Sequence, residues 1–266
     1  MAHESLRILS LAAGLALAMG PGARAAAGSE TFSHADWTAV LERFVDERGL
    51  VDYRGLARDR AVFDRYVATV ERASPKSDPR LFRTRDDALA YYLNAYNALV
   101  FKGVLARGPE DETVWTPFGT GYSFFSAMEV RVGGERTNLK RLEDEVVRAE
   151  FQDPRVHAAL NCASMSCPRL PRKAFEGRTV DSELDAAMRE FVGESRHCAV
   201  NSGKKTVMLS KIFKWFAEDF LAFERRQGNA DSSILDYVNR YRAAGLKIPR
   251  DDAVSYLEYD KRINKQ

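Results

Sequence analysis

Residues 88–107, ALAYYLNAYNALVFKGVLAR, decide the fold. Leu89, Tyr92, Leu93, Tyr96, Leu99, Val100 and Val104 recur at helical spacing, and the run stops before Gly108-Pro109. A helix with so wide an apolar stripe belongs at the centre of a core, so the other elements are expected to pack around it. Upstream, the spacing predicts a helix from His34 to Arg48, capped by Ser33 and stopped by Gly49. A short extended piece, Leu50 to Tyr53, a helix from Leu56 to Arg72 and a charged connector with Pro75 and Pro79 follow. Downstream, Pro109 to Phe125 reads as irregular and aromatic, and Glu129 to Thr137 as a hairpin turning at Gly133-Gly134. Leu139 to Glu150 is predicted helical, while Val156 to Cys162 is apolar and ambiguous between strand and helix.

An amphipathic helix over Ser182–Glu194 precedes a second hairpin, His197 to Leu209, turning at Asn201-Ser202-Gly203. Ser210 then caps a helix carrying Ile212, Phe213, Trp215 and Phe216. A helix from Ile234 to Ala244 closed by Gly245 and a strand from Val254 to Tyr259 end the chain. No internal repeat or low-complexity linker interrupts it. The fold class expected is α+β: one globular domain over residues 28–266, more helix than strand, with a central apolar helix against a small sheet.

The N-terminus reads as a secretory signal over residues 1–27. Arg7 precedes the uncharged apolar run Ile8 to Met19, and Ala23-Arg24-Ala25-Ala26-Ala27 offers cleavage after Ala25 or Ala27. That run is too short for a membrane anchor, which needs about 20 residues, so the expected location is periplasmic or secreted with no stable membrane anchor. The formal net charge is +2 and the charges are interspersed, which gives no electrostatic reason to expect nucleic acid. Neither a cofactor nor a metal site is expected, and the partner is left as a protein or small-molecule ligand.

Chemistry concentrates in RVHAALNCASMSCP, residues 155–168. A thiol becomes a nucleophile when a base or positive charge favours its thiolate, and His157 is the obvious base. As a strand, residues 156–162 put Cys162 on the face opposite His157 and Asn161. As a helix, they make His157 and Asn161 neighbours. In both, Cys167, beyond the turn and able to fold back, ranks ahead of Cys162. The competing expectation is a small Cys162–Cys167 disulfide loop, since export permits one and Pro168 forces Cys167 out of helical geometry. On the central helix, Asn94 and Asn97 read as buried amides fixing a neighbouring backbone, with an oxyanion donor as the functional alternative.

Together these segments resemble the domain of unknown function 547 family, found as exported bacterial proteins and at the C-terminal end of some plant proteins. The matching pieces are Val51-Asp52-Tyr53, the run Leu93 to Leu99, Leu142-Glu143 with Arg148, Asp153 to His157, Asn161 to Ser164, Cys167-Pro168, Leu209 to Trp215 and Glu218-Asp219-Phe220. By that likeness, Asn94, Asn97, Glu143, Arg155, His157, Cys162, Cys167, Lys211 and Asp219 coincide with motif positions. Two positions depart from the pattern. Glu143-Asp144 stands where the family reads Glu-His, which removes a second histidine, and Lys261 follows Tyr259-Asp260 where the family tends to carry tryptophan.

The leading functional expectation is a periplasmic binding or scaffolding module stapled by a Cys162–Cys167 disulfide, with the aromatic loop from Trp115 to Phe125 as its contact surface. The alternative is a thiol-dependent hydrolase or acyltransferase. There Cys167 or Cys162 is nucleophile, His157 base, Glu143 or Asn161 orienter, and Asn94 or Asn97 oxyanion donor. Arg155, Lys211 and Asp219 are the candidate binding residues.

Overall fold

Thr84 starts the central helix by accepting from the Asp87 backbone N–H while the Asp87 carboxylate accepts from the Thr84 N–H, both at 3.0 Å. The helix, α4, runs Arg85–Arg107 and ends at Gly108, whose φ of 126° suits glycine. Nearly every residue from Leu89 to Leu105 is buried, so α4 is apolar all round and not amphipathic. The computed structural model describes Met1 and residues 31–108, 110–115 and 123–266. The expected signal segment and residues 116–122 of the aromatic loop lie outside the described residues.

Helices α1 (Ala35–Phe44), α2 (Tyr53–Arg58) and α3 (Ala61–Arg72) precede α4. The first expected helix ends early because Val45 leaves it extended to bridge Val51, and the Asp46 carboxylate ties the Leu50 N–H into the turn. The second divides because the Asp52 side chain caps a separate short helix at Gly55. After α4 come α5 (Ser123–Ala127) and the hairpin β1 (Glu129–Val132) with β2 (Glu135–Asn138), turning at Gly133-Gly134 as expected. Asn138 caps α6 (Leu139–Arg141), which continues as a π-helix over Leu142–Arg148 and closes as α7 (Ala149–Phe151).

The ambiguous stretch is neither strand nor helix. Pro154–Ala158 forms a single 3₁₀ turn, with Asp153 accepting from the Arg155 N–H, and the chain then runs irregularly to Pro168. Helix α8 (Val180–Gly193) and the hairpin β3 (Cys198–Asn201) and β4 (Thr206–Leu209) follow. The expected helix after Ser210 is two, α9 (Lys211–Trp215) and α10 (Ala217–Arg226), then α11 (Ile234–Tyr241) and β5 (Ala253–Tyr256). Strand β5 pairs parallel to β4, giving a three-stranded sheet in the order β3-β4-β5. The α+β reading with more helix than strand holds.

Residues 31–266 form one unit built on two apolar clusters. The larger surrounds α4. The smaller joins the end of α8 to β3, β4, α9, α10 and α11. Ala158 belongs to the smaller cluster and Ala159 to the larger, so the 3₁₀ turn carrying His157 runs along the seam between them. No helix among the described residues is long and apolar enough to cross a membrane.

Candidate functional site

The seam opens into a cavity of about 250 Å³ whose wall includes Tyr96, Trp115, Glu143, Arg148, His157, Cys162, Cys167, Trp215, Phe216 and Tyr259. Its floor is the loop from Asn161 to Pro168. Asn161 builds that loop: its Oδ1 accepts from the Ala163 N–H at 2.8 Å and its Nδ2 donates to the Pro168 carbonyl at 2.7 Å. These bonds hold Ala163 at φ 60°, a left-handed conformation that alanine adopts at a cost of about 1 kcal/mol. The left-handed residue sits between Cys162, which lines the cavity, and the buried Ser164. The C-terminal strand of chain lies over the loop, with Met165 N–H donating to Arg262 O, Ser166 N–H to Asp260 O, and Asn264 N–H to Ala163 O.

The expected disulfide is not formed; all three cysteines are free. The Cys162 N–H donates to Cys167 Sγ at 3.0 Å, and the Tyr259 hydroxyl lies 3.1 Å from Cys162 Sγ and 3.3 Å from Cys167 Sγ. The turn thus holds the sulfurs at hydrogen-bonding and not bonding distance. The expected order of the thiols is also reversed. Hydrogen bonds with Cys167, Tyr259 and Ser164 draw the Cys162 thiol below its ordinary pKa against the opposing effect of burial. Ser164 Oγ accepts from the Cys162 thiol at 3.6 Å and from Trp115 Nε1–H at 2.8 Å. Burial pushes the Cys167 thiol well above its ordinary value, with the neighbouring Cys162 adding to the rise, so Cys167 is the protonated partner.

His157 does not touch either sulfur. Its Nε2 is 2.7 Å from Asp219 Oδ2, its ring stacks on Phe216 at 4.0 Å, and burial holds it below its usual pKa. A neutral ring donating through Nε2–H leaves Nδ1 as its acceptor. The orienter of His157 is therefore Asp219, not Glu143 or Asn161. Arg148 binds the same carboxylate through Nε at 2.7 Å and also pairs with Asp144. Hydrogen bonds from His157 and from the charged Arg148 hold Asp219 ionised far below the usual carboxylate range, despite partial burial.

Glu143 projects from the π-helical segment, a geometry concentrated at functional sites because the widened turn redirects side chains. Its Oε2 accepts from the Tyr96 hydroxyl at 3.0 Å. Desolvation in the recess raises its pKa to about 7, against the lowering effect of the Tyr96 hydrogen bond. It is close enough that its charge acts on the Cys162 thiol. A carboxyl that titrates near neutrality beside an acidified thiol is the pairing that proton-transfer chemistry needs.

The remaining expected site residues are structural or peripheral. Asn94 clamps the Phe175 backbone through both amide atoms, and Asn97 donates to Ala159 O while accepting from the Asn161 N–H. Both amides are bound to backbone and neither lines the cavity, which fits the buried-clamp reading. Arg155 is bound by Asp153, Asp181 and Asp185, fixing the 3₁₀ turn to α8. Lys211 pairs with the exposed Glu258. Sequence reasoning did not name Tyr96, Arg148, Ser164 or Tyr259 as site residues, and took Trp115 only as the start of a contact loop; Tyr259 lies 97 positions from Cys162, so nothing local to the thiol loop announces it. No group of three His, Cys, Asp or Glu side chains among the described residues could hold a metal ion.

Residues 81–192 match the family profile described as "Protein of unknown function, DUF547". No curated protein and no solved structure matches the chain. The matched segment holds α4, the π-helical wall and the thiol loop, while Asp219 and Tyr259 come from beyond it. On that match residues 81–192 are assigned to the DUF547 family.

Proposed function

We propose that the seam cavity is the active site of a thiol-dependent acyl-transfer or hydrolytic enzyme, with Cys162 as nucleophile, and that the protein works outside the cytoplasm. The observation that carries this reading is the gathering of Cys167, Tyr259 and Ser164, each a group able to donate, around one cavity-facing sulfur. A purely structural thiol has no use for three such groups, whereas a thiolate is stabilised by each hydroxyl or thiol that turns its proton toward it. The loss of the disulfide staple removes the main support for a scaffolding role. The exported location rests on the sequence of residues 1–27.

The chemistry follows from the proton inventory. The Cys162 thiolate adds to the carbonyl carbon of an acyl substrate, and the carbonyl π pair moves to oxygen. As the adduct collapses, the carbon–leaving-group bond breaks and the leaving group takes a proton from the Glu143 carboxyl. Water then attacks the thioester, losing a proton to the Glu143 carboxylate, and Cys162 departs as thiolate. His157, held by Asp219, lines the same cavity as a second acceptor for the attacking water. The aromatic wall of Trp115, Trp215 and Phe216 suits the apolar part of a small ligand.

The test is alkylation of the folded protein by iodoacetamide from pH 5 to 9, with each cysteine followed by peptide mass. The reading predicts that Cys162 labels first, with a midpoint below the ~8.5 of an ordinary cysteine. Equal labelling of Cys162 and the unrelated Cys198, or a midpoint at or above that value, would sink it.

A further inference from the structure

We propose that the Tyr259 hydroxyl is the oxyanion donor of this site: it releases its hydrogen bond to Cys162 sulfur and gives it to the carbonyl oxygen of the acyl substrate as the carbon–sulfur bond forms. The inference rests on the thiol reading above and adds a catalytic residue to it.

Acyl addition moves one negative charge from sulfur to oxygen, so the site needs a donor that reaches both atoms. Counting donors leaves few. The amides of Asn94, Asn97 and Asn161 each donate to a backbone carbonyl and none lines the cavity. The Cys162 N–H, the usual backbone contributor, is spent on Cys167 Sγ. The Arg148 guanidinium is bound by Asp144 and Asp219, and Lys140 by Asp144. Tyr259 is different. A phenol has a single O–H, and here that hydroxyl lies within hydrogen-bond reach of two sulfurs, so its one proton is committed to neither and can be redirected. Sulfur and oxyanion oxygen are bonded to the same carbon in the adduct, so a group touching one reaches the other by a small pivot.

The ring is held for this role. It packs on Trp215 with centroids 4.8 Å apart and meets Trp115 edge-on at 6.2 Å. Its neighbour Asp260 is tied to the thiol loop by the Asp260 N–H donating to Ser166 Oγ at 2.8 Å. Burial keeps the phenol protonated well past its ordinary value, so it donates throughout the neutral range. In the step, sulfur supplies the pair for the new bond and the carbonyl π pair moves to oxygen, which then accepts a hydrogen bond from the Tyr259 O–H. On collapse the pair returns to carbon, the leaving group departs with the Glu143 proton, and no oxidant or further reactant is consumed.

Tyr259→Phe keeps the ring between Trp115 and Trp215 and removes only the donor. Two reactions of Cys162 separate its roles. Iodoacetamide displacement creates no oxyanion, whereas acylation by 4-nitrophenyl acetate does. With both rates taken at a pH where the thiol is fully ionised, the variant is expected to lose about 10²- to 10³-fold in acylation and less than about 10-fold in alkylation. Ser164→Ala removes a group that, of the reacting atoms, contacts the sulfur alone and is expected to change the two rates together, leaving their ratio unchanged; thermal unfolding of both variants checks that they fold. Equal losses in the two reactions of Tyr259→Phe would overturn the proposal while leaving Cys162 as nucleophile. If wild-type Cys162 alkylates at low pH but is never acylated, the oxyanion role is likewise overturned. Failure of the wild type to label selectively at all would overturn the thiol reading itself and this role with it.

Discussion

Asn161 carries more of the site than any residue that does chemistry. Its side chain closes the turn at Ala163, holds the Pro168 carbonyl and meets Asn264 Nδ2 at 3.3 Å, all in a buried setting. Leaving a buried polar group unsatisfied costs about 1–3 kcal/mol, and Asn161→Ala strands two backbone groups at once. Urea unfolding of that variant is expected to show a loss of about 2–4 kcal/mol, and a loss under 1 kcal/mol would mean that the left-handed Ala163 does not depend on it. At this scale the sequence was informative about residue types and misleading about roles. Asn94 and Asn97 could be read as clamps because asparagine disfavours an apolar helix unless its amide is used. Asp219 was legible only as a motif position, since its partnership with His157 joins α10 to a 3₁₀ turn 62 residues away.

Among the elements, α4 was readable because its period and its stops agree, and both hairpins because glycine marks their turns. The thiol loop was not readable. Val156 to Cys162 satisfies neither period, because Pro154 starts a 3₁₀ turn and the segment lies across a seam where neither cluster imposes a repeat. Both geometries weighed for it put Cys162 in a poor position, and the irregular path is what brings it into the cavity. The π-helical turn is equally silent in sequence: Leu139 to Glu150 reads as ordinary helix, and the widened segment that carries Glu143 packs against α4. The last expected strand stops at Tyr256, and that early stop frees Leu257 onward to cross the thiol loop and deliver Tyr259.

Across the whole molecule, buried histidines set the response to acid. Burial lowers His34 to about 4 and His197 to about 3, and it lowers His157 as well. His197 is the extreme case, 1% exposed with no hydrogen-bond partner for either ring nitrogen among the described residues. A histidine kept neutral in the fold supplies stability that is present above its unfolded pKa near 6.5 and lost as pH falls toward the folded value. Glu143 acts oppositely: raised to about 7, it supplies stability below about 4.5 that is lost as pH rises through 7. Near pH 5.5 the histidines outnumber it, so the unfolded chain holds roughly one to two more protons, each worth about 1.4 kcal/mol per pH unit. Stability measured by urea is expected to rise from pH 5 to 6.5. His197→Phe, packed on Phe191, is expected to flatten that slope by about one proton; an unchanged slope would show that His197 is already charged in the fold.

The placement of the cavity between two apolar clusters makes the site a property of the complete unit, since α4, the π-helical wall, α9 and the C-terminal crossing each contribute to it. Its central claim is that Cys162 forms a covalent acyl intermediate. The most direct measurement is rapid acid quenching of the protein during reaction with 4-nitrophenyl acetate, followed by peptide mass. The account predicts an acetyl group on the peptide carrying Cys162, appearing as fast as 4-nitrophenolate is released and absent from Cys162→Ala. Release that is unchanged in Cys162→Ala, or acetyl groups confined to surface lysines, would contradict it.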